Sequence, residues 1–310
     1  MTFWPPSPKL AAIYAVAFFL LLVLAPGRGP FSLRFLRLYP KKLGSSAVGW
    51  AANQTLPAFL RPPLLGHFAH SYGLNLNEAE HPLQDYESLQ SLFTRRLKPG
   101  LRPQDPVIPG FINSPVDGRI IASGRIEKNM AIQAKGLPYR ITELLKHDAD
   151  ATRFEGGHYV TLYLAPKDYH RIHVPLNGRV SAVGRVEGEL WPVNDASTLN
   201  IGRLYERNRR ATWVATGTDA DEGLEVAAIL VGATHVGGVL IDARWRQGRE
   251  LPKDGTFAIA DLPCESGQDL GCFAFGSTVV LLIAGPKADV WKLQKKDGDV
   301  KVGQRLGAFE

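Results

Sequence analysis

At 310 residues the chain is long enough for one large domain or two smaller ones, and 45% apolar with 21% charged residues excludes an intrinsically disordered chain. Its two cysteines, Cys264 and Cys272, exclude a disulfide-stapled scaffold. They have no zinc-site spacing with a nearby histidine, so both read as ordinary thiols in a reducing compartment. The net charge of +6 is uneven: residues 1–77 carry seven Lys or Arg and no acid, while the rest is net −1. A general polyanion surface is thereby excluded, no nucleic-acid motif is present, and the basic start points to anionic lipid.

Leu10 to Ala25 is an unbroken run of sixteen apolar residues. As a helix it spans roughly 24 Å, slightly short of a hydrocarbon core. Three readings stand: a membrane anchor, a secretory signal peptide with a poor cleavage site at Pro26-Gly27-Arg28, or an interfacial or buried helix. One lysine precedes the run, and Arg28, Arg34, Arg37, Lys41 and Lys42 follow it, so the positive-inside rule puts the body in the cytoplasm. The expected localisation is the inner membrane, catalytic domain on its cytoplasmic face. Residues 31–39 place Phe31, Phe35, Leu36, Leu38 and Tyr39 on one face and Arg34 and Arg37 on the other, a helix at the membrane surface or packed on the body.

Residues 44–98 read as mostly helical, with breaks at Pro57 and Pro62-Pro63 and a helix over Tyr86–Leu97 ended by Pro99-Gly100. From about Ile108, short β-rich runs alternate with Gly, Pro, Asn and Asp, and Ile141–Lys146 is a short helical candidate. The expected fold class is α+β: a largely antiparallel, β-rich catalytic domain over 108–310, preceded by N-terminal membrane-associating helices. The expected divisions are a hydrophobic anchoring segment, 1–27, and a basic, mostly helical region, 28–107.

Three places carry chemistry. Asp117 sits in the turn Ser114-Pro115-Val116-Asp117-Gly118, where an Asp also serves simply to stabilise its own turn. His170 and His173 lie in Asp168-Tyr169-His170-Arg171-Ile172-His173, within β-like flanks. Residues three apart on a straight strand face opposite ways, so a shared site needs a turn or bulge between them, and no third metal ligand stands out. Ser277 follows Gly276 and precedes an apolar run. A serine there can attack the open carbonyl of Gly276, with His173 as base and Asp117 orienting the ring. The same three residues also suit a membrane-anchored serine hydrolase acting on an external substrate. No Gly-x-Ser-x-Gly elbow is present, which excludes the α/β-hydrolase arrangement.

From roughly residue 35 onward the chain resembles the bacterial phosphatidylserine decarboxylase proenzymes. The resemblance rests on RRLKPGLRP (95–103), SPVDG (114–118), QAKG (133–136), LAPKDYHRIHVPLNG (164–178), PVN (192–194), ILVGATHVGG (229–238) and FGST (275–278). It implies self-cleavage between Gly276 and Ser277 into a large chain 1–276 and a small chain 277–310 that stay associated. Ser277 then becomes a covalent pyruvoyl group, the cofactor, which forms a Schiff base with phosphatidylserine. Asp117, His173 and Ser277 are implied as the cleavage triad and His170 as an aid to decarboxylation. The implied partners are phosphatidylserine and anionic membrane lipid, with a homo-oligomer left open; no nucleic acid and no metal are called for. Lys135, Lys167 and Arg171 are the basic candidates for the substrate phosphate. Phe275, Arg209 and Trp191-Pro192 stand where the family more often has Leu, an acid and Phe-Ser.

Overall fold

The computed structural model describes residues 41–310 except 107, 109, 135–136, 149, 219–222, 235–237, 275–276, 287–290 and 310. The apolar run 10–25 and the amphipathic stretch 31–39 lie outside the described residues. Among the described residues no helix is long and apolar enough to cross a membrane.

The helices are α1 (Lys41–Ala52), α2 (Arg61–Tyr72), α3 (Leu89–Phe93), α4 (Ile141–Leu144), α5 (Asp195–Asn200) and α6 (Leu204–Arg207). Pro62 and Pro63 do not break a helix. They begin α2, in the first turn, where a missing N–H costs nothing. Gly73 ends α2 at φ +70°, a left-handed cap that glycine adopts without strain. The helix expected over 86–97 shrinks to α3. A reciprocal box between Ser88 and Ser91 starts it. It stops because the backbone of 96–98 turns to residues 78–80: Glu80 N–H donates to Arg96 O and Lys98 N–H to Glu78 O.

The strands are β1 (Ile112–Asn113), β2 (Gly118–Arg125), β3 (Met130–Ala134), β4 (Leu137–Arg140), β5 (His158–Leu164), β6 (Arg171–His173), β7 (Gly178–Val186) and β8 (Arg210–Gly217). They continue as β9 (Glu225–Val231), β10 (Val239–Ile241), β11 (Gly255–Cys264), β12 (Asp269–Phe273), β13 (Ser277–Ala284), β14 (Trp291–Leu293), β15 (Gly298–Val300) and β16 (Arg305–Phe309). Eight form a central antiparallel sheet in the order β11-β7-β8-β9-β13-β5-β2-β15. A smaller sheet, β10-β12-β6, carries the histidine block. The fold is α+β, as the turn-punctuated β runs lead one to expect.

Alternation along β13 explains its unbroken apolar sequence. Val280, Leu282 and Ala284 join one core with Leu65, Phe68, Leu92 and Phe93 of the helices. Val279, Leu281 and Ile283 join a second core with Leu162, Leu164, Ile172 and Phe273. A strand covered on both faces has no polar side to show. Cys264 and Cys272 are free and buried, and burial pushes the Cys264 thiol up to about 12.

Candidate active site

Ser277 opens β13 and pairs with Leu164, the last residue of β5. On the other side of β5, the antiparallel register that pairs Arg119 with Tyr163 places Gly118 beside Leu164, and β15 sets Val300 beside Gly118. Ser277 and Gly118 thus flank Leu164 in one row, two strand spacings or about 10 Å apart. Position 118 requires glycine: a Cβ there would come within 2.6 Å of Tyr163 O. Asp117, one residue before, is held at this end of the sheet.

Asp117 is buried and densely hydrogen-bonded. Arg102 Nε lies 2.9 and 3.0 Å from its two oxygens and Arg102 Nη2 at 2.5 Å from Oδ2. Lys301 Nζ donates to Oδ2 at 3.2 Å and the Val302 N–H to Oδ1 at 2.9 Å. Arg102 is itself anchored on Glu78 at 2.7 Å. Burial opposes ionisation of Asp117, but these bonds and the charges of Arg102 and Lys301 outweigh it and hold the carboxyl below its usual value. Neither a turn-stabilising bond nor a bond to His173 is among the contacts of this carboxylate.

His173 is oriented by another group. Its Nδ1–H donates to Gly267 O at 2.8 Å, leaving Nε2 as an acceptor for the Tyr169 hydroxyl at 3.2 Å. Burial lowers its pKa, against a rise from the Gly267 bond. Its backbone N–H donates to Pro115 O at 2.8 Å, tying β6 to the Asp117 turn.

His170 lies just before β6, after a tight turn in which Asp168 Oδ2 accepts the Ala165 N–H. That turn precedes His170 and so is not the one the His-x-x-His spacing calls for between the two histidines: residues 171–173 are strand, and the register shift here lies between Asp269 and Gly271 of β12. The His170 ring has no exposed surface and stacks on Phe93 at 4.0 Å between centroids. Its Nε2–H donates to Ala165 O at 3.0 Å, so Nδ1 carries the lone pair, and that atom is buried without a partner. Burial, then the charge of Arg95, push its pKa down to about 3. The ring is neutral at any physiological pH.

Ser277 is 0% exposed and its Oγ has no hydrogen-bond partner among the described residues. In the uncut chain no external substrate, whether ester, peptide or lipid, reaches a hydroxyl without accessible surface, so its first reaction partner is a group of the chain itself. Gly276 lies outside the described residues.

The structure therefore brings Asp117, His170, His173 and Ser277 to one end of the central sheet, around the Leu164–Ala165 corner. It joins the three proposed cleavage residues by strands and backbone bonds, not by side-chain bonds to one another. Reading the sequence missed Arg102, Glu78, Lys301, Tyr169 and Phe93. Arg102 lies inside the 95–103 segment that carries the family resemblance, the one signal that pointed to it. Of the phosphate candidates, Arg171 is paired with Asp269, Lys167 is exposed, and Lys135 lies outside the described residues. Arg209, the departure from family habit, pairs with Glu187 at 2.6 Å.

Comparison with known proteins gives the family. The profile of the family described as phosphatidylserine decarboxylase matches residues 89–308. A phosphatidylserine decarboxylase proenzyme of Anaeromyxobacter sp. is 40% identical over 287 residues, covering 88% of this chain and 96% of the relative. One of Myxococcus xanthus is 36% identical, covering 89% and 98%, and one of Shewanella amazonensis is 39% identical, covering 81% and 88%. With the profile spanning the helix that carries Phe93, the Asp117 clamp, the histidine block and Ser277, the chain belongs to the phosphatidylserine decarboxylase family.

Proposed function

We propose that this chain is made as a proenzyme, cleaves itself at Gly276–Ser277, and then decarboxylates phosphatidylserine to phosphatidylethanolamine and CO2. The observation that carries the reading is Ser277: a hydroxyl fully buried, unpartnered, and placed at the first position of the central strand. An unsatisfied buried hydroxyl is costly and is retained where chemistry uses it. In the cleavage step the Ser277 oxygen attacks the Gly276 carbonyl to form an ester. Elimination then frees the carboxylate of residue 276, and hydrolysis releases ammonia.

The site suits the pyruvoyl group that this leaves at residue 277, since that position is fully buried and paired with apolar Leu164. When present, that group supplies an electron sink for loss of CO2 from an amino acid. The remaining work falls to side chains. His173, fixed by Gly267 with Nε2 as the basic nitrogen, is the base for the Ser277 proton. Asp117 acts by charge through its clamp. His170, held neutral and tied to Ala165, the residue after the partner of Ser277, has Nδ1 free as an acceptor among the described residues. Because β13 is paired on both sides, by β5 and β9, the 34 residues after the cut remain bound by two ladders.

Membrane attachment through residues 1–40, with the catalytic body on the cytoplasmic face, completes the reading; its support is the apolar run and its basic flank. Electrophoresis and mass spectrometry of active protein test the cleavage: two chains, the smaller beginning at a modified residue 277, are expected. An unbroken active chain overturns it. Deleting residues 1–27 should move the protein from the membrane pellet to the supernatant.

A further inference from the structure

Arg95 follows α3 by two residues, and its side chain is turned inward, 4% exposed. Its Nη2 donates to Lys167 O at 3.2 Å and Asp168 O at 3.4 Å, in the turn that carries His170. Its Nε and Nη1 are buried with no hydrogen-bond partner. Among the described residues no carboxylate forms an ion pair with it. The nearby acids are taken: Glu78 and Asp117 by Arg102, Asp117 also by Lys301, and Asp168 Oδ2 by the Ala165 N–H. A buried guanidinium with two idle donors and no counter-charge is unfavourable unless an anion completes it.

We propose that Arg95 is the residue that holds the phosphodiester of the substrate headgroup. The inference rests on the decarboxylase reading above. The turn that Arg95 grips begins at Ala165, next in the chain to Leu164, the partner of Ser277, so the cation and the reacting residue are both tied to this corner of the sheet. A fork of N–H donors is suited to a phosphate oxygen pair. The substrate has a second anion, its carboxylate, but a cation placed there would stabilise the group that must leave as neutral CO2, and so favour the reactant over the transition state. The phosphodiester keeps its charge throughout the reaction. A contact to it contributes binding equally to reactant and transition state, and the contact survives in the product.

The test uses full-length, self-cleaved protein carrying Arg95→Gln or Arg95→Lys, assayed on phosphatidylserine in mixed micelles with phosphatidylethanolamine as a product inhibitor. Phosphatidylethanolamine has the phosphodiester but no carboxylate. For Arg95→Gln, KM and the product inhibition constant should both rise about 10- to 100-fold, with kcat changed less than about threefold. Arg95→Lys should recover part of the loss. A rise in KM without weaker product inhibition would assign Arg95 to the carboxylate and overturn the proposal. Unchanged KM and inhibition would overturn it as well. Should both variants fail to self-cleave while wild type does, Arg95 is structural and the proposal fails, although the decarboxylase reading stands. If wild type neither cleaves nor decarboxylates, it is that reading which fails.

Discussion

Arg102 grips Asp117 through both carboxylate oxygens, with Nε at 2.9 and 3.0 Å and Nη2 at 2.5 Å, across a gap of 15 residues in the chain. Breaking a buried pair from one side costs about 3–5 kcal/mol, because the remaining charge stays behind uncompensated. Arg102→Ala should therefore lower unfolding stability by that order in urea titration and slow self-cleavage. Adding Asp117→Asn to Arg102→Ala should restore much of the stability and none of the cleavage, which separates the structural and chemical roles of the carboxylate.

Ser277→Ala should leave the protein as a single full-length band without decarboxylase activity. Its Oγ has no partner to lose among the described residues, so the free energy of unfolding should change by less than about 1 kcal/mol. A large loss of stability would mean that the hydroxyl is structural.

Buried His170 and half-buried His173 predict an acid-side loss of stability. Both have folded pKa values below the ordinary value, His170 near 3, so the unfolded chain binds their protons first. Their contribution is fully present above about pH 6.5 and is lost as pH falls from there, for His170 toward 3 and at about 1.4 kcal/mol per pH unit for a full proton. Asp117, also depressed, acts in the same direction but only below about pH 4. Denaturation midpoints measured between pH 7 and 4.5 should fall steadily, and His170→Gln should reduce that slope by about one proton.

Phe93 is fully buried and stacks on His170. Phe93→Ala should cost about 3–5 kcal/mol in denaturant unfolding. Phe93→Leu should cost less yet still reduce kcat, because the ring that fixes the imidazole plane is gone.

Once cut, the protein should run as one species in gel filtration under native conditions, the 34-residue small chain leaving only in denaturant. The two ladders of β13 account for this, and early loss of the small chain would contradict the strand order.

The β-rich body was legible because its signals are local. Runs such as those of β5, β9 and β13 are short, apolar and bounded by Gly, Pro and Asn, and the doubly buried faces of β13 show as an unbroken Val279–Ile283. The Asp117 turn entering β2 was readable for the same reason. Helix ends were less so: α3 stops at Phe93 because residues 96–98 bond to 78–80, a preference that apolar spacing over 86–97 does not encode.

The sequence by itself determined the candidate residues, the strand-rich class and, through its motifs, the family. Only the tertiary structure decided their electrostatic settings. Asp117 is bound by Arg102 and Lys301, 15 and 184 residues away, His173 is oriented by Gly267, and His170 is kept neutral by its burial against Phe93. Tautomer, charge and hydrogen-bond partner depend on what folding packs against a side chain, and neighbours that lie far apart along the chain leave no local pattern to read.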